Sequence, residues 1–469
     1  MIGQVGRIGI NFVSLIVLSR LLAPEDFGLL AMVVAIIGIG ETLRDFGLSA
    51  AAIQSPELTR QQRDNLFWVN TGLGAFFGLL VVAISPLLVL LYSDERVQGI
   101  AIALSVTFVL NGMSAQYRAD LQRHLRFTAV VVLELSSGII GVITGIVCAL
   151  AGLEYWALVA QQLMMPAVGL IVAVVLCRWL PGLPRRVAGM RHFFSFGTHL
   201  VGSQLLVYLT ENIDSVVVGA SFGSTQLGLY SRAFELLMAP LRQVQAPAAR
   251  VALPILSKLQ FQPERFNSYL LRGQVILLGL ICSTFGLAAA QAAPLITWVL
   301  GPQWTGVIPI FQIFCLAGLA RAAHFATYWG FLSKGLTASM FRYALVARPL
   351  GALIIIAGVP FGLHGVAAAY SVSTFSTWII GLWWLGRTSA DAPVRLMLLN
   401  GLRTIFVYAL CGLASWAASQ ATGQPVSILA VAVGVVAFVV AVAFFALIWP
   451  TFRRDVIELV SFPRLLRRR

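Results

Sequence analysis

Apolar runs of roughly 20 residues, separated by short clusters of charge, Pro and Gly, follow one another from the first residues to about position 450. A helix needs about that length to cross the ~30 Å apolar layer of a bilayer. Only helices or closed barrels satisfy their backbone polar groups there. The pattern predicts spans over 3–22, 27–51, 65–91, 97–117, 128–151 and 155–179, then over 194–219, 226–248, 271–299, 306–332, 340–359, 364–386, 397–419 and 426–449. Fourteen spans leave no stretch long enough for a large soluble domain. The first run does not read as a cleavable leader, because Asn11 and Arg20 interrupt it and Pro24-Glu25-Asp26 follows it.

Composition agrees, since 59% hydrophobic and 11% charged residues cannot cover a water-soluble globule of 469 residues. The net charge of +14 would suggest nucleic acid in a soluble chain, but topology absorbs it. With the N-terminus inside, 25 of the 32 Lys and Arg fall in cytoplasmic loops and tails, two (Arg20 and Arg96) outside, and five within spans. That split obeys the positive-inside rule. An even span count then puts both termini in the cytoplasm, and no nucleic-acid partner is expected. The basic tail carries Val456, Leu459, Val460 and Phe462 on an apolar side, so it reads either as a topogenic tail or as a helix held at the interface by anionic lipid. The five cysteines sit singly in apolar runs and read as small buried hydrophobes.

Three segments recur in the second half at offsets of 200, 208 and 210. Phe27-Gly28-Leu29-Leu30 matches Leu227-Gly228-Leu229-Tyr230, and Ser85-Pro86-Leu87-Leu88 matches Ala293-Pro294-Leu295-Ile296. Gly152-Leu153-Glu154-Tyr155-Trp156-Ala157 matches Gly362-Leu363-His364-Gly365-Val366-Ala367. Six spans separate equivalent points, so the halves share an orientation and relate by an axis along the membrane normal. The expected fold is an all-α polytopic membrane protein. It has six-helix lobes at 1–180 and 181–390, two extra helices within 391–450, and a cytoplasmic tail at 451–469.

Charges inside the spans are unfavourable against lipid, at about 2.5–3.5 kcal/mol each at the bilayer centre, so they should face a wet cavity or one another. They are Glu41, Arg44, Asp45, Glu134, Glu211, Asp214, Arg232, Glu235, Arg242, Arg321 and Arg348. Glu41 stands three positions from Arg44, Glu211 three from Asp214, and Glu235 seven from Arg242, spacings that share a helix face. Pro240, Pro247 and Pro254 predict a bent eighth span with free carbonyls. Gly72, Gly74, Gly78, Gly138, Gly141 and Gly145 predict close helix packing.

No Gly-rich phosphate loop occurs, so ATP hydrolysis is not expected, and the five His lack ligand spacing, so no metal site is expected. One enzymatic alternative is a membrane glycosyltransferase that uses polyprenyl-linked sugars, with Glu25 and Asp26 in the first outer loop. Every outer loop is short, which argues against it.

Leu18-Ser19-Arg20-Leu21-Leu22-Ala23-Pro24-Glu25-Asp26-Phe27-Gly28-Leu29 resembles the first hairpin of the bacterial Wzx-type polysaccharide flippases, within the multidrug/oligosaccharidyl-lipid/polysaccharide exporter superfamily. Arg44-Asp45-Phe46-Gly47-Leu48, Asn212-Ile213-Asp214, Leu227-Gly228-Leu229-Tyr230-Ser231-Arg232-Ala233 and Leu253-Pro254-Ile255-Leu256-Ser257 are similar too. The likeness runs to about residue 390. Its N-terminus is shorter than that family's, which leaves an upstream start or an absent lead-in helix open. The resemblance implies a V-shaped pair of lobes that moves undecaprenyl-pyrophosphate-linked oligosaccharide across the inner membrane by alternating access, for exopolysaccharide, capsule or O-antigen assembly. Within the superfamily, the alternatives are a lipid II flippase and a drug/cation antiporter. It further implies polysaccharide polymerase and glycosyltransferase partners, no enzyme activity, no cofactor, and coupling to a Na+ or H+ gradient.

On that reading Arg232, Arg321 and Arg348, with Arg7 or Arg44 from the first lobe, would hold the pyrophosphate, because guanidinium groups stay charged and bond phosphate oxygens in pairs. Asp214 beside Asn212 is the candidate cation site, although spans eleven and twelve supply no acid to complete it. Glu211, Gln204, Tyr208 and Tyr328 would line the polar cavity. The rival account makes the arginines structural partners of Glu211, Asp214 and Glu235.

Overall fold

Local chemistry sets where the apolar runs begin and end as helices. Thr59 caps its helix through a reciprocal pair with Gln62, in which each side chain bonds the other's backbone N–H, and Ser93 closes the same helix in the left-handed region. Ser427 caps another by accepting from the Ala430 N–H. The computed structural model describes residues 2–45, 48–55, 58–185 and 190–466, with backbone alone at 2, 45, 50, 51, 54, 190–207, 209, 210, 460 and 462–466. In order, the helices of the first part are α1 Ile2–Leu21, α2 Pro24–Asp45, α3 Leu48–Gln54, α4 Arg60–Tyr92, α5 Arg96–Arg123, α6 Phe127–Leu150 and α7 Tyr155–Cys177. There follow α8 Met190–Leu259, α9 Pro263–Ala290, α10 Ala292–Val299, α11 Val307–Ser333, α12 Thr337–Ala357, α13 Gly362–Thr388, α14 Val394–Gln420, α15 Ile428–Ile448 and α16 Pro450–Leu466. No strand occurs among the described residues.

Eleven described stretches are long and apolar enough to span a membrane, one of them, Thr337–Thr388, holding both α12 and α13. Separating those two gives twelve such helices, and the two helical halves of α8, which are not among them, bring the helical segments at the expected positions to 14. Several boundaries differ from the sequence pattern. The ninth span is α9 followed by α10, whereas residues 46 and 47, between α2 and α3, lie outside the described residues. The break in α8 falls at Gly223, whose φ of 81° lies where only glycine is comfortable. Pro240, Pro247 and Pro254 lie inside its helical continuation.

Packing divides the chain into two compact units, Met1–Ser231 and Arg232–Arg469. This is a division by contact, whereas the lobes at 1–180 and 181–390 are a division by sequence symmetry. In the first unit α4 and α5 meet backbone to backbone: a Cβ on Gly74 would lie 2.4 Å from the Phe108 carbonyl oxygen, and one on Gly112 2.5 Å from that of Asn70. The closest approach joins α2 to α8. A Cβ on Gly28 would fall 1.7 Å from the Ser224 oxygen, and one on Gly228 1.8 Å from the Pro24 oxygen. These two glycines are the equivalent positions of the first repeat match.

In the second unit α9 packs between α11 and α14, with Gly286 and Gly412 against each other's helices. Buried Gln291 on the α9–α10 turn donates to Ser415, which donates to the Gly434 oxygen, tying α14 and α15 to that core. The tail is a helix in its own right. Phe452 is buried against Tyr408, Leu459 lies over Gly279, and Asp455 accepts a hydrogen bond from Arg403. Val460 and Phe462 lie outside the described side chains.

Burial raises the Asp455 carboxyl above its ordinary range despite the opposing pull of Arg403. Desolvation therefore outweighs the attraction of Arg403 for the charged carboxylate. Arg403→Ala, which strands a carboxyl whose partner was only 17% exposed, should destabilise α16 docking by about 1–3 kcal/mol, whereas Arg403→Met with Asp455→Leu should be close to neutral. Protease cleavage of α16 in the detergent-solubilised protein reads the difference; equal cleavage of both variants would contradict it.

Candidate functional site

The first unit gathers charge toward the far ends of α2 and α5. Glu41 accepts from the Arg44 Nε at 2.8 Å and from the Asn111 amide at 3.0 Å, so its two oxygens fix residues from both helices. The expected Glu41–Arg44 pair is thus present. Arg118 stands near enough for the charges of Glu134 and Arg44 to act on it. Arg7 on α1 pairs with Glu134 on α6 at 3.3 Å, with both side chains substantially exposed. Arg7, Glu134, Arg118, Arg44 and Glu41 therefore form a series of charges across four helices of the membrane-embedded unit.

Asp214 is buried, accepting from the Tyr230 hydroxyl and from the Ser215 N–H at 2.9 Å each. The half-buried Asn212 gives its amide to the Tyr208 carbonyl instead. Tyr208 in turn donates toward the Val34 and Ala35 carbonyls of α2. Glu211 is exposed, and Gln204 lies outside the described side chains.

In the second unit α8 and α11–α13 place the remaining arginines. Arg232 pairs with Glu235 one turn on, holding its own side chain 15% exposed while the acid is 54% exposed. Arg321 is different. Its guanidinium donates to the Tyr370 hydroxyl at 2.6 Å and lies 3.3 Å from the Met238 sulfur, and no carboxylate pairs with it among the described residues. Phe234, Phe314 and Tyr370 pack edge to face against one another, with ring centres 5.4–5.8 Å apart. Arg348 and Arg321 both act electrostatically on His324, whose Nδ1 is buried without a hydrogen bond. Tyr328, on the same helix, is 36% exposed.

Sequence reasoning does not single out Arg118, His324 or Tyr370. Arg118 falls just past an expected span end at 117, whereas α5 runs on to Arg123. His324 has a signal in its position three residues from Arg321, on the same helix face. The link to Tyr370 crosses 49 residues and has no local signal. Among the described residues no group of His, Cys, Asp and Glu is arranged to hold a metal ion.

Comparison with known proteins places this geometry in context. Lipopolysaccharide biosynthesis protein WzxC of Escherichia coli (strain K12) is 28% identical over 329 residues, covering 67% of this chain and 64% of that protein, just under two-thirds of its length. Succinoglycan biosynthesis transport protein ExoT of Rhizobium meliloti (strain 1021) is 27% identical over 354 residues, covering 74% and 70%. Among solved structures, lipid II flippase MurJ in an inward closed conformation superposes with a TM-score of 0.71 over 97% of this chain and 99% of that one, at 14% identity, which shows a shared fold. Residues 17–309 match the family described as polysaccharide biosynthesis protein, more than half of the chain, and this multi-pass helical membrane protein belongs to that family.

Proposed function

We propose that the chain moves undecaprenyl-pyrophosphate-linked oligosaccharide repeat units from the inner to the outer leaflet of the bacterial inner membrane, for surface polysaccharide assembly. The observation that carries the reading is Arg321, an intramembrane guanidinium held by a hydroxyl and a thioether rather than an acid. A positive charge kept there without a countercharge is unfavourable in an apolar layer unless an anion visits it. Arg348, whose charge like that of Arg321 acts on His324, supplies a second charge for a diphosphate, and Arg232 adds a third from the same unit. The exposed Tyr328, on the same helix as Arg321, suits the flat face of a sugar ring.

The rest of the transport cycle fits this reading. The lobes at 1–180 and 181–390 alternate access, both termini lie in the cytoplasm, and Asp214 couples movement to a Na+ or H+ gradient. A polymerase and glycosyltransferases of the same assembly line act as partners. The relatives' names in polysaccharide biosynthesis and transport support the substrate class. The MurJ likeness, at 14% identity, is one of fold and does not move the substrate to lipid II.

Reconstitution tests it. Vesicles carrying the purified chain and a fluorescent polyprenyl-pyrophosphate oligosaccharide should lose nearly all label to an added membrane-impermeant quencher, where protein-free vesicles lose about half. Equal protection in both preparations would remove the proposal.

A further inference from the structure

A cavity of about 300 Å³ lies between α2, α3 and α5, lined by Arg44, Ser49, Asn111, Ser114, Arg118 and Gln122. It is at the small end of the roughly 300–1,000 Å³ range of ligand pockets, too small for an oligosaccharide. Two arginine side chains line it. Arg44 is 8% exposed, and its Nη1 is buried with no hydrogen-bond partner; the Arg118 Nε is likewise buried and unpartnered. Neither atom bonds Glu41, whose two oxygens take the Arg44 Nε and the Asn111 amide. Among the described residues Arg118 has no ion pair, and the Glu134 oxygen within reach of the series bonds Arg7.

Among the described residues that line it, the cavity therefore brings together two guanidinium side chains, each with a buried nitrogen that lacks a hydrogen-bond acceptor, and no acid. Like charges at close range in a low dielectric repel, and a buried donor without an acceptor is unfavourable. Water would satisfy the donors but leave the charge. An anion with several acceptor oxygens does both, and the planar fork of arginine matches phosphate in particular. The hydroxyl of Ser49 and the amides of Asn111 and Gln122 supply further neutral contacts. Space for Arg118 is provided by Gly169, where a Cβ would come within 3.1 Å of its Nη2.

We propose that this cavity is an anion site for a phosphate or pyrophosphate group. On the expected topology it opens at the cytoplasmic leaflet. Its role as a loading point for the substrate headgroup rests on the flippase reading; the anion site itself does not. The phosphate could be borne by a membrane lipid at that depth, by the substrate, or by neither, and the chemistry recognised is the same.

Calorimetric titration of the full-length protein in maltoside detergent with inorganic pyrophosphate tests it. Saturable binding is expected, weakened at least tenfold by Arg118→Gln and by Arg44→Gln, partly restored in Arg118→Lys, and unchanged by Lys258→Gln on the exposed side of α8. If Arg118→Gln does not remain monodisperse, Arg118→Lys and Gln122→Leu, which keep both charges, carry the comparison with an expected severalfold loss. No saturable binding, or binding indifferent to these substitutions, overturns the site. Repeating the titration in phosphatidylcholine nanodiscs with and without phosphatidylglycerol separates the sources. Apparent affinity that falls with the anionic lipid assigns the site to lipid headgroups, and constant affinity assigns it to soluble or substrate-borne phosphate. A chain that binds pyrophosphate yet fails to flip labelled lipid keeps this site and loses the flippase reading; one that flips without binding does the reverse.

Discussion

Arg321→Ala should reduce surface-polysaccharide export at least tenfold while leaving the protein in the membrane at close to its normal abundance. What the substitution leaves behind decides this outcome. Removing one member of a buried ion pair strands the other charge and destabilises by several kcal/mol. Arg321 has no such partner among the described residues; its loss leaves a Tyr370 hydroxyl one bond short, worth about 1 kcal/mol, and some lost packing on Met238. A fall in export without a fall in protein is then a loss of substrate contact. Arg321→Lys should recover only part of the activity, because an ammonium keeps the charge and loses the paired geometry. Glu235→Ala is the contrasting variant, since it leaves the largely buried Arg232 without its acid and should lower abundance and export together. Normal export from well-expressed Arg321→Ala would remove the headgroup role, and lost export with lost protein would favour the structural account.

Valine at Gly28 or Gly228 should prevent the protein from accumulating in a folded, monodisperse form. The added Cβ would meet a backbone carbonyl oxygen at 1.7 or 1.8 Å, and no rotamer change moves a backbone atom. The helices would have to separate by more than an ångström, opening contacts on both sides of the seam. Ordinary overpacking against flexible side chains destabilises by about 1–3 kcal/mol, and a backbone collision should exceed that range. Gly72→Val is the control, because nothing lies within 4 Å of a Cβ there. The double variant Gly28→Val with Gly228→Val should be little worse than either single one, since the seam is already open. Yield and melting temperature after detergent extraction provide the measurement. A Gly28→Val protein that matched Gly72→Val in both would show that α2 and α8 are not held in this contact.

Much of this architecture is legible in the amino-acid sequence. Long apolar runs fix helices because the bilayer forbids alternatives, and all 14 segments follow from that constraint alone. Helix ends are less legible where the apolar run continues past a break, as at Gln291 between α9 and α10. Near neighbours such as Glu41 and Arg44 are visible at helical spacing, whereas Glu235, whose spacing points to Arg242, pairs with Arg232 on the preceding turn. The partners of Arg321 are not, because Tyr370 belongs to another helix and meets it only through packing. Arg118 is hidden for a different reason: a basic residue near a span end reads as a topology signal, and only its unpartnered burial beside Arg44 gives it another meaning.

The contact between Gly28 and Gly228 has the form of an isologous interface, in which a surface meets its own equivalent and residue i touches j as j touches i. Such reciprocity is the mark of a twofold homodimer, and here one chain contains both sides of it. The two positions consequently cannot drift as independent sites. A larger side chain at one removes the room that the other needs, so the permitted residues at 28 depend on the residue at 228. The two halves of the chain can diverge wherever they meet lipid or unrelated helices, as Glu154 and His364 have done, but at this crossing each copy is part of the other's environment.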